Sequence, residues 1–429
     1  MIKRMPGSWG PALNRLRLRR AYRAASTRLH RDAGVGAKRF LFIFSDTGGG
    51  HRASAQAVKD EMLRLYGAGV SVDMIDLFVE LDRWPFDRFP NWYPSCVGLN
   101  GIPWGVGFHL SDGKRLVGAL SRLVWPYTRS ALCDFLQRYR ADTIVSFHPI
   151  PNHTLLMALR HLGWQMPLAT VTLDLVTAHA GWFVSGADLY MVPTEAAKAR
   201  ALRCGLPDAR VIVTGMPTRR SFLLAIDLPR QEARRQLGLP QEIPVVLIVG
   251  GGEGMGPLAQ VVRAIGRCRP HAHIVVITGR NRTLHTELAR MNLPVSLQIE
   301  GFVSNMEVWM RAASILVTKA GPNTLAEAFV AGLPLVLYAA LPGQEEGNVQ
   351  HVVENGAGYW APLPRQAARA VMHLLNEQHA CRLMESRSRA LARPFATEQI
   401  ARSLWDLADT PASPVQELVM RESSVSVLN

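Results

Sequence analysis

Residues 39–51 read Arg39-Phe40-Leu41-Phe42-Ile43-Phe44-Ser45-Asp46-Thr47-Gly48-Gly49-Gly50-His51, and a stretch of helical character follows from Arg52 to Leu65. The unbroken apolar run has the pattern of a strand covered on both faces, as in parallel sheets. Strand, glycine turn and helix together open a Rossmann-like unit. The same order restarts at Pro244–Val249, which runs into Gly250-Gly251-Gly252-Glu253-Gly254-Met255-Gly256 and a helix near Pro257–Arg267. Further strands are predicted at Ser71–Leu77, Thr143–Phe147, Leu168–Leu173, Leu189–Val192 and Arg210–Thr214 in the first half. In the second half they fall at Ile274–Thr278, Leu297–Ile299, Ile315–Thr318 and Pro334–Tyr338, alternating with helices. Alternation of this kind predicts an α/β protein of two doubly wound, Rossmann-like domains facing a cleft.

The chain length of 429 residues suits two such units, since single cores stop growing near 250–300 residues. The reading places a basic segment at 1–39, a first domain at 40–225 and a second at 226–405, with a tail at 406–429. A linker falls around Pro217–Pro244. Five cysteines are scattered without a CxxC pair, which argues against both a disulfide framework and a structural zinc. The most apolar stretch, Ser314 to Leu341, is broken by Lys319, Gly321, Pro322, Glu327 and Pro334. It is too interrupted to span a bilayer.

The net charge of +14 is unevenly placed: Met1 to Arg39 carries eleven Lys or Arg against Asp32 alone. Leu18, Tyr22, Ala25 and Leu29 fall at helical spacing there, so a basic amphipathic helix on anionic lipid competes with a transit peptide and with a solvated tail. No nucleic-acid recognition motif accompanies the charge. Residues 83–129 break the α/β alternation with four of the ten tryptophans, Trp84, Trp92, Trp104 and Trp125, interleaved with six basic residues. Such an insertion fits a bilayer interface, where rings are buried and charges stay wet, or else an irregular aromatic mini-core.

The chemistry-bearing residues gather at predicted strand ends. Glycine loops there let backbone N–H groups approach phosphate, and the helix N-terminus favours negative charge. Besides Gly250–Gly256, the second half offers Lys319-Ala320-Gly321-Pro322-Asn323-Thr324, with Glu327 one turn into the helix and suited to ribose hydroxyls. Pro342-Gly343-Gln344-Glu345-Glu346-Gly347-Asn348 then supplies a polar loop suited to sugar hydroxyls. In the first half, a neutral His51 imidazole at the glycine loop can act as general base, or it merely caps the loop. Asp46 either orients it or hydrogen-bonds its own turn. His148, Asp174 and His179 are acceptor-side candidates that serve equally well as strand-end hydrogen-bonding residues. No Asp-x-Asp pair is present to hold a metal on a diphosphate, so leaving-group charge falls on helix ends and donors.

Ser45-Asp46-Thr47-Gly48-Gly49-Gly50-His51-Arg52-Ala53-Ser54-Ala55 resembles the signature that opens the monogalactosyldiacylglycerol synthases and the related processive diacylglycerol glucosyltransferases. Gly301-Phe302-Val303-Ser304-Asn305-Met306, Thr318 through Ala328 and Pro342 through Asn348 resemble the nucleotide-sugar half of that family. So do His148-Pro149 and the stretch from Asp174 to Trp182 with Thr177 and His179. The similarity runs from about Phe40 to Trp360. It implies a GT-B fold and inverting transfer from UDP-galactose or UDP-glucose to diacylglycerol. It also implies neither metal nor cofactor, and peripheral attachment to the cytoplasmic face of a membrane containing anionic lipid.

By matching motif, Gly252, Glu253, Gly254 and Met255 border the diphosphate, Phe302 and Val303 cradle uracil, and Gly321, Asn323 and Thr324 approach phosphate. Glu327 meets the ribose, Gln344 and Glu345 the hexose, and Asn348 helps hold the donor, while His51 stands where the family has its proposed base. Asn323 departs from a position that is often glycine. Relatives acting on lipid II are the alternative within the enzyme class, but their shorter glycine loop lacks the His-Arg-Ala-Ser seen here. A catalytically idle lipid-binding relative is the alternative outside it.

Overall fold

The computed structural model describes residues 36–46, 49–88, 101–252, 254 and 256–409. Twelve strands form two six-stranded, all-parallel sheets. The first holds β1 (Lys38–Phe44), β2 (Val70–Asp76), β3 (Thr143–Ser146), β4 (Leu168–Val171), β5 (Leu189–Val192) and β6 (Val211–Val213), in the order β2-β1-β3-β4-β5-β6. The second holds β7 (Val245–Val249), β8 (His273–Ile277), β9 (Ser296–Glu300), β10 (Ile315–Lys319), β11 (Leu335–Ala339) and β12 (Gly358–Trp360), in the order β12-β11-β10-β7-β8-β9.

The apolar run that opens the first sheet is central. Phe40 through Phe44 are each at most 1% exposed, because β1 has a neighbouring strand on each edge and the Gly50–Tyr66 helix packs against it. The five residues of β7 are likewise all buried. In each sheet the strand order reverses beside the founding strand, between β1 and β3 and between β7 and β10. Open α/β sheets bind ligands at such switch points, beyond the carboxyl ends of the strands. His51 follows β1, Gly250–Gly252 follow β7, and Gly321 follows β10.

Three features differ from the linear reading. The 217–244 stretch, read as a linker, contains the helices Arg220–Leu224 and Arg230–Gln236. The 83–129 insertion is largely helical, with Ile102–Ser111 followed by Lys114–Arg138. Finally, the last described helix, Ala396–Leu407, follows the second sheet in sequence but packs against the Gly50–Tyr66 helix of the first. Trp405 stacks on Tyr66 with centroids 3.9 Å apart, and Lys38 Nζ lies 3.7 Å from the Trp405 ring. The Thr397 hydroxyl accepts from the Thr218 amide at 2.9 Å and donates to its carbonyl at 2.6 Å. The last helix thus straps the second half onto the first. No helix among the described residues is long and apolar enough to cross a membrane.

Candidate active site

The carboxyl ends of the two sheets enclose a cleft of about 380 Å³. The first half contributes Gly49, Gly50, His51 and Asp174; the second contributes Gly250–Gly252, Phe302, Val303, Gly321, Asn323, Thr324, Glu327, Gln344 and Glu345. Residues some 300 positions apart in the chain therefore face one another across a single space.

The His51 ring is held from behind. Its Nδ1–H donates to the Phe147 carbonyl at 2.7 Å, which leaves Nε2 as the basic nitrogen. The ring packs on His148 at 4.8 Å and Trp182 at 6.2 Å between centroids. Desolvation by these neighbours lowers the His51 pKa from 6.5 to about 4, against the opposing pull of the Phe147 carbonyl and of Asp46. The imidazole is therefore neutral through the physiological range. Asp46, expected to orient it, instead pairs with Arg52 at 3.2 Å on the outside of the turn. The orienting acceptor is a backbone carbonyl brought alongside by β3, and so carries no side-chain signature.

Asp174 is buried, with each oxygen engaged. Trp182 Nε1–H donates to Oδ2 at 2.7 Å, and Gln344 Nε2–H donates to Oδ1 at 2.8 Å from the opposite half. Burial raises its pKa to about 6, the two side-chain hydrogen bonds opposing the rise. The other face of the Gln344 amide accepts from Trp104 Nε1–H at 3.2 Å.

In the second half, the Pro322–Ala331 helix begins at the cleft with proline at its first position, leaving its N-terminal backbone donors facing the space. Lys319 extends beside them, its Nζ 2.5 Å from Glu345 Oε1, while Glu345 Oε2 accepts the Leu341 amide at 2.9 Å. Glu345 thus orients the lysine rather than standing open to a sugar. Glu327 is half-buried in the cleft wall; desolvation lifts its pKa to about 7, with Arg219 opposing and Glu307 adding to the rise. Phe302 is 61% exposed, its ring covered on one side by the Arg280 guanidinium at 4.7 Å. That pair makes an aromatic platform open to a planar base. The glycine loop requires its glycines: Gly254 has φ 57°, and a Cβ there would meet the Thr278 carbonyl at 2.6 Å.

Several sequence candidates are engaged in structural contacts or stand apart from the cleft. His148 is buried behind His51, its Nδ1 accepting from the Ile150 amide. His179 has both ring nitrogens in use, Nδ1 accepting from Gly181 and Nε2–H donating to the Ser111 hydroxyl, so it caps a turn instead of offering a base. Asn348 is buried and donates to the Ala320 carbonyl. Asn323 donates to Ser54 Oγ at 3.0 Å and to the Gly50 carbonyl at 3.3 Å, linking the two halves. Trp125 packs against the core, whereas Trp84 is 65% exposed. Glu253, Met255 and Trp92 lie outside the described residues.

The sequence reading assigned no role to Lys319, Arg280 or Arg219, the three cations lining the cleft. Lys319 ends β10 and Arg280 follows β8, both at the carboxyl ends of their strands, and that position is the signal that marks them. Among the described residues, no group of three His, Cys, Asp or Glu side chains is placed to hold a metal ion.

Comparison with known proteins gives the family and the fold. Residues 51–218 match the family model for monogalactosyldiacylglycerol (MGDG) synthase, and residues 245–395 match the glycosyltransferase family 28 C-terminal domain. A probable monogalactosyldiacylglycerol synthase 2 of Oryza sativa subsp. japonica, described as chloroplastic, is 38% identical over 88% of this chain and 82% of its own. The chain belongs to the monogalactosyldiacylglycerol synthase family. It is a glycosyltransferase. Monogalactosyldiacylglycerol synthase 3 of Arabidopsis thaliana is 34% identical over 86% of this chain and 82% of its own length. Among solved structures, Acinetobacter baumannii MurG aligns with a TM-score of 0.56 at 15% identity, covering 86% of this chain and 99% of that one. An S. aureus MnaA–UDP structure aligns at 0.57 and 15%, covering 88% and 99%. At these identities the two structures speak to the fold alone: two facing Rossmann-like domains, the GT-B architecture.

Proposed function

We propose that this enzyme transfers a hexose from UDP-galactose or UDP-glucose to the free hydroxyl of 1,2-diacylglycerol, with inversion at the anomeric carbon, at a membrane surface. The observation that carries the reading is the opposition of two unlike walls. His51, with a bare Nε2, faces a helix N-terminus, Lys319 and Glu327 across one cleft. The second wall suits a nucleoside diphosphate: Phe302 for the base, Glu327 for the ribose diol, and the helix end with Lys319 for the phosphates.

In the transfer, His51 Nε2 takes the proton of the diacylglycerol hydroxyl as its oxygen bonds to the anomeric carbon. The bond from that carbon to the β-phosphate oxygen breaks, and its electron pair leaves with UDP. Attack from the first half while UDP departs on the second places nucleophile and leaving group on opposite faces of the sugar, which is the geometry of inversion. The charge developing on UDP meets the helix end and Lys319, so the step needs no metal. Binding a negatively charged donor also raises the proton affinity of His51, which burial depresses. The relatives' names as synthases of a galactosyl diacylglycerol support the acceptor. Neighbours solved with UDP, or with UDP and glucose, support the donor class.

The lipid side is supported by a row of exposed apolar residues on the insertion. Ile102, Val106 and Leu110 fall at helical spacing on one helix, and Leu116, Leu120, Leu123 and Tyr127 on the next. Lys114, Arg115, Arg122 and Arg129 stand among them, exposed. Apolar rings and chains rimmed by cations suit an anionic lipid surface. Incubating the purified protein with diacylglycerol vesicles and each UDP-hexose, then determining the product and its anomeric configuration by NMR, tests the proposal. The expected product is a β-glycosyl diacylglycerol; no transfer to diacylglycerol from either donor would refute the reading.

A further inference from the structure

The Ile102–Ser111 helix has a second edge that faces inward. It belongs to the first half, yet it rests on the 342–344 loop of the second. A Cβ at Gly105 would lie 2.6 Å from Pro342 Cβ, one at Gly101 2.8 Å from Pro342 Cδ, and one at Gly343 2.9 Å from the Phe108 ring. Small residues at three positions thus let helix and loop touch directly. Where they touch, Trp104 Nε1–H donates to Gln344 Oε1, Gln344 Nε2–H donates to Asp174 Oδ1, and Trp182 Nε1–H donates to Asp174 Oδ2.

We propose that Trp104 is a positioning residue for the transfer: it fixes the rotamer of the Gln344 amide and, through it, the orientation of the Asp174 carboxylate beside the reacting sugar. An indole offers a donor and no acceptor, so only the carbonyl end of Gln344 can face it. The amide N–H is then obliged to point at Asp174. Without the indole N–H, the amide is free to turn by 180° and present oxygen to a carboxylate, which is repulsive. The chain of bonds runs from a helix with an apolar outer edge to the floor of the cleft. It gives Trp104 a role distinct from anchoring in lipid, since its polar atom points at Gln344 while Ile102, Val106 and Leu110 form the exposed edge.

The inference rests on the donor and acceptor reading above, and its test separates the two. The full-length wild type, Trp104→Phe, Gln344→Ala and the double variant are compared on vesicles holding diacylglycerol and anionic lipid. Phenylalanine keeps the ring and removes only the N–H. Loss of one hydrogen bond predicts about a 5–15-fold fall in kcat/KM for the UDP-hexose. UDP itself should bind as before by calorimetry, because its contacts lie on the far wall.

In the Gln344→Ala background, Trp104→Phe should change turnover less than about twofold, since a residue acting only through Gln344 has nothing left to act on. Vesicle flotation should be the same for all four proteins. Losses that multiply in the double variant, flotation lost with Trp104→Phe, or wild-type kcat/KM in Trp104→Phe would each overturn the inference. If the wild type transfers nothing to diacylglycerol, the acceptor reading falls. Trp104 is then decided by binding: UDP-hexose affinity reduced in Trp104→Phe, with UDP affinity kept, upholds the inference, and equal affinities reject it.

Discussion

Replacing His51 by glutamine separates its chemistry from its packing. Glutamine keeps a side-chain N–H that reaches for the Phe147 carbonyl but has no basic nitrogen. If His51 is the general base, turnover per folded molecule should fall roughly 10²–10⁴-fold while UDP affinity holds, because the proposed UDP contacts lie in the other half. The same variant has a thermodynamic signature. Burial lowers the His51 pKa from 6.5 to about 4, which corresponds to a bias of about 3 kcal/mol against the charged ring. The folded state binds fewer protons at this site than the unfolded chain. The contribution is therefore fully present above about pH 6.5 and lost as pH falls towards 4.

His51→Gln has no such proton to exclude. Its stability deficit relative to wild type should therefore shrink by about 3 kcal/mol between pH 7 and pH 4, and can invert. Urea unfolding of both proteins at matched pH gives this difference directly, with every other titrating group cancelling. A deficit independent of pH would refute the desolvation argument. A well-folded variant with near wild-type turnover would refute the assignment of the base and move it to Asp174.

Glu327→Gln should weaken UDP binding by about 1.5–3 kcal/mol if the ribose hydroxyls donate to its carboxylate. Burial lifts the Glu327 pKa to about 7, so wild-type affinity for a UDP-hexose, whose diphosphate does not titrate in this range, should rise as pH climbs from 5 through 7, and by calorimetry the variant's should rise less. EDTA should leave turnover intact, and strict loss of activity, restored by a divalent cation, would contradict charge stabilisation by the helix end and Lys319 alone. Flotation should show binding that strengthens with anionic lipid and weakens with salt, from the cations at Lys114, Arg115, Arg122 and Arg129; equal binding to neutral vesicles at high salt would count against an electrostatic surface.

Much of the architecture is legible in the linear chain because it rests on local pattern. An apolar run such as Phe40–Phe44 or Val245–Val249 can only be covered on both faces, so a parallel sheet follows from it, and a glycine loop after each marks where a ligand sits. Eleven of the twelve strands fall where the sequence predicts one, with ends shifted by at most two residues; β12 is only Gly358–Trp360, too short to show a period. The helices of the insertion are hidden for a related reason. Many of their apolar residues, Ile102, Val106, Leu110 and Leu123 among them, face outward, and glycines and Pro126 interrupt the pattern, so they read as irregular chain.

What the chain alone does not contain is who meets whom. His51 takes its tautomer from a carbonyl 96 positions away, and Asp174 takes its orientation from Gln344, 170 positions away. No local period encodes either pairing, since both follow from which strand ends the two sheets bring to the cleft. Basicity behaves the same way. The imidazole of His51 and the carboxylates of Asp174 and Glu327 are ordinary groups in sequence, and the packing of Trp182, His148 and the opposite domain decides how much water each retains. Local pattern alone specifies two Rossmann-like units and the residue types of the loops at their strand ends. Only the assembled fold makes the His51 ring neutral and ties it to the Phe147 carbonyl, gives Asp46 and His179 other hydrogen-bonding partners, and brings a tryptophan from a helix with an exposed edge to Gln344. Desolvation and hydrogen-bond direction are properties of the assembled surroundings and not of any stretch of chain.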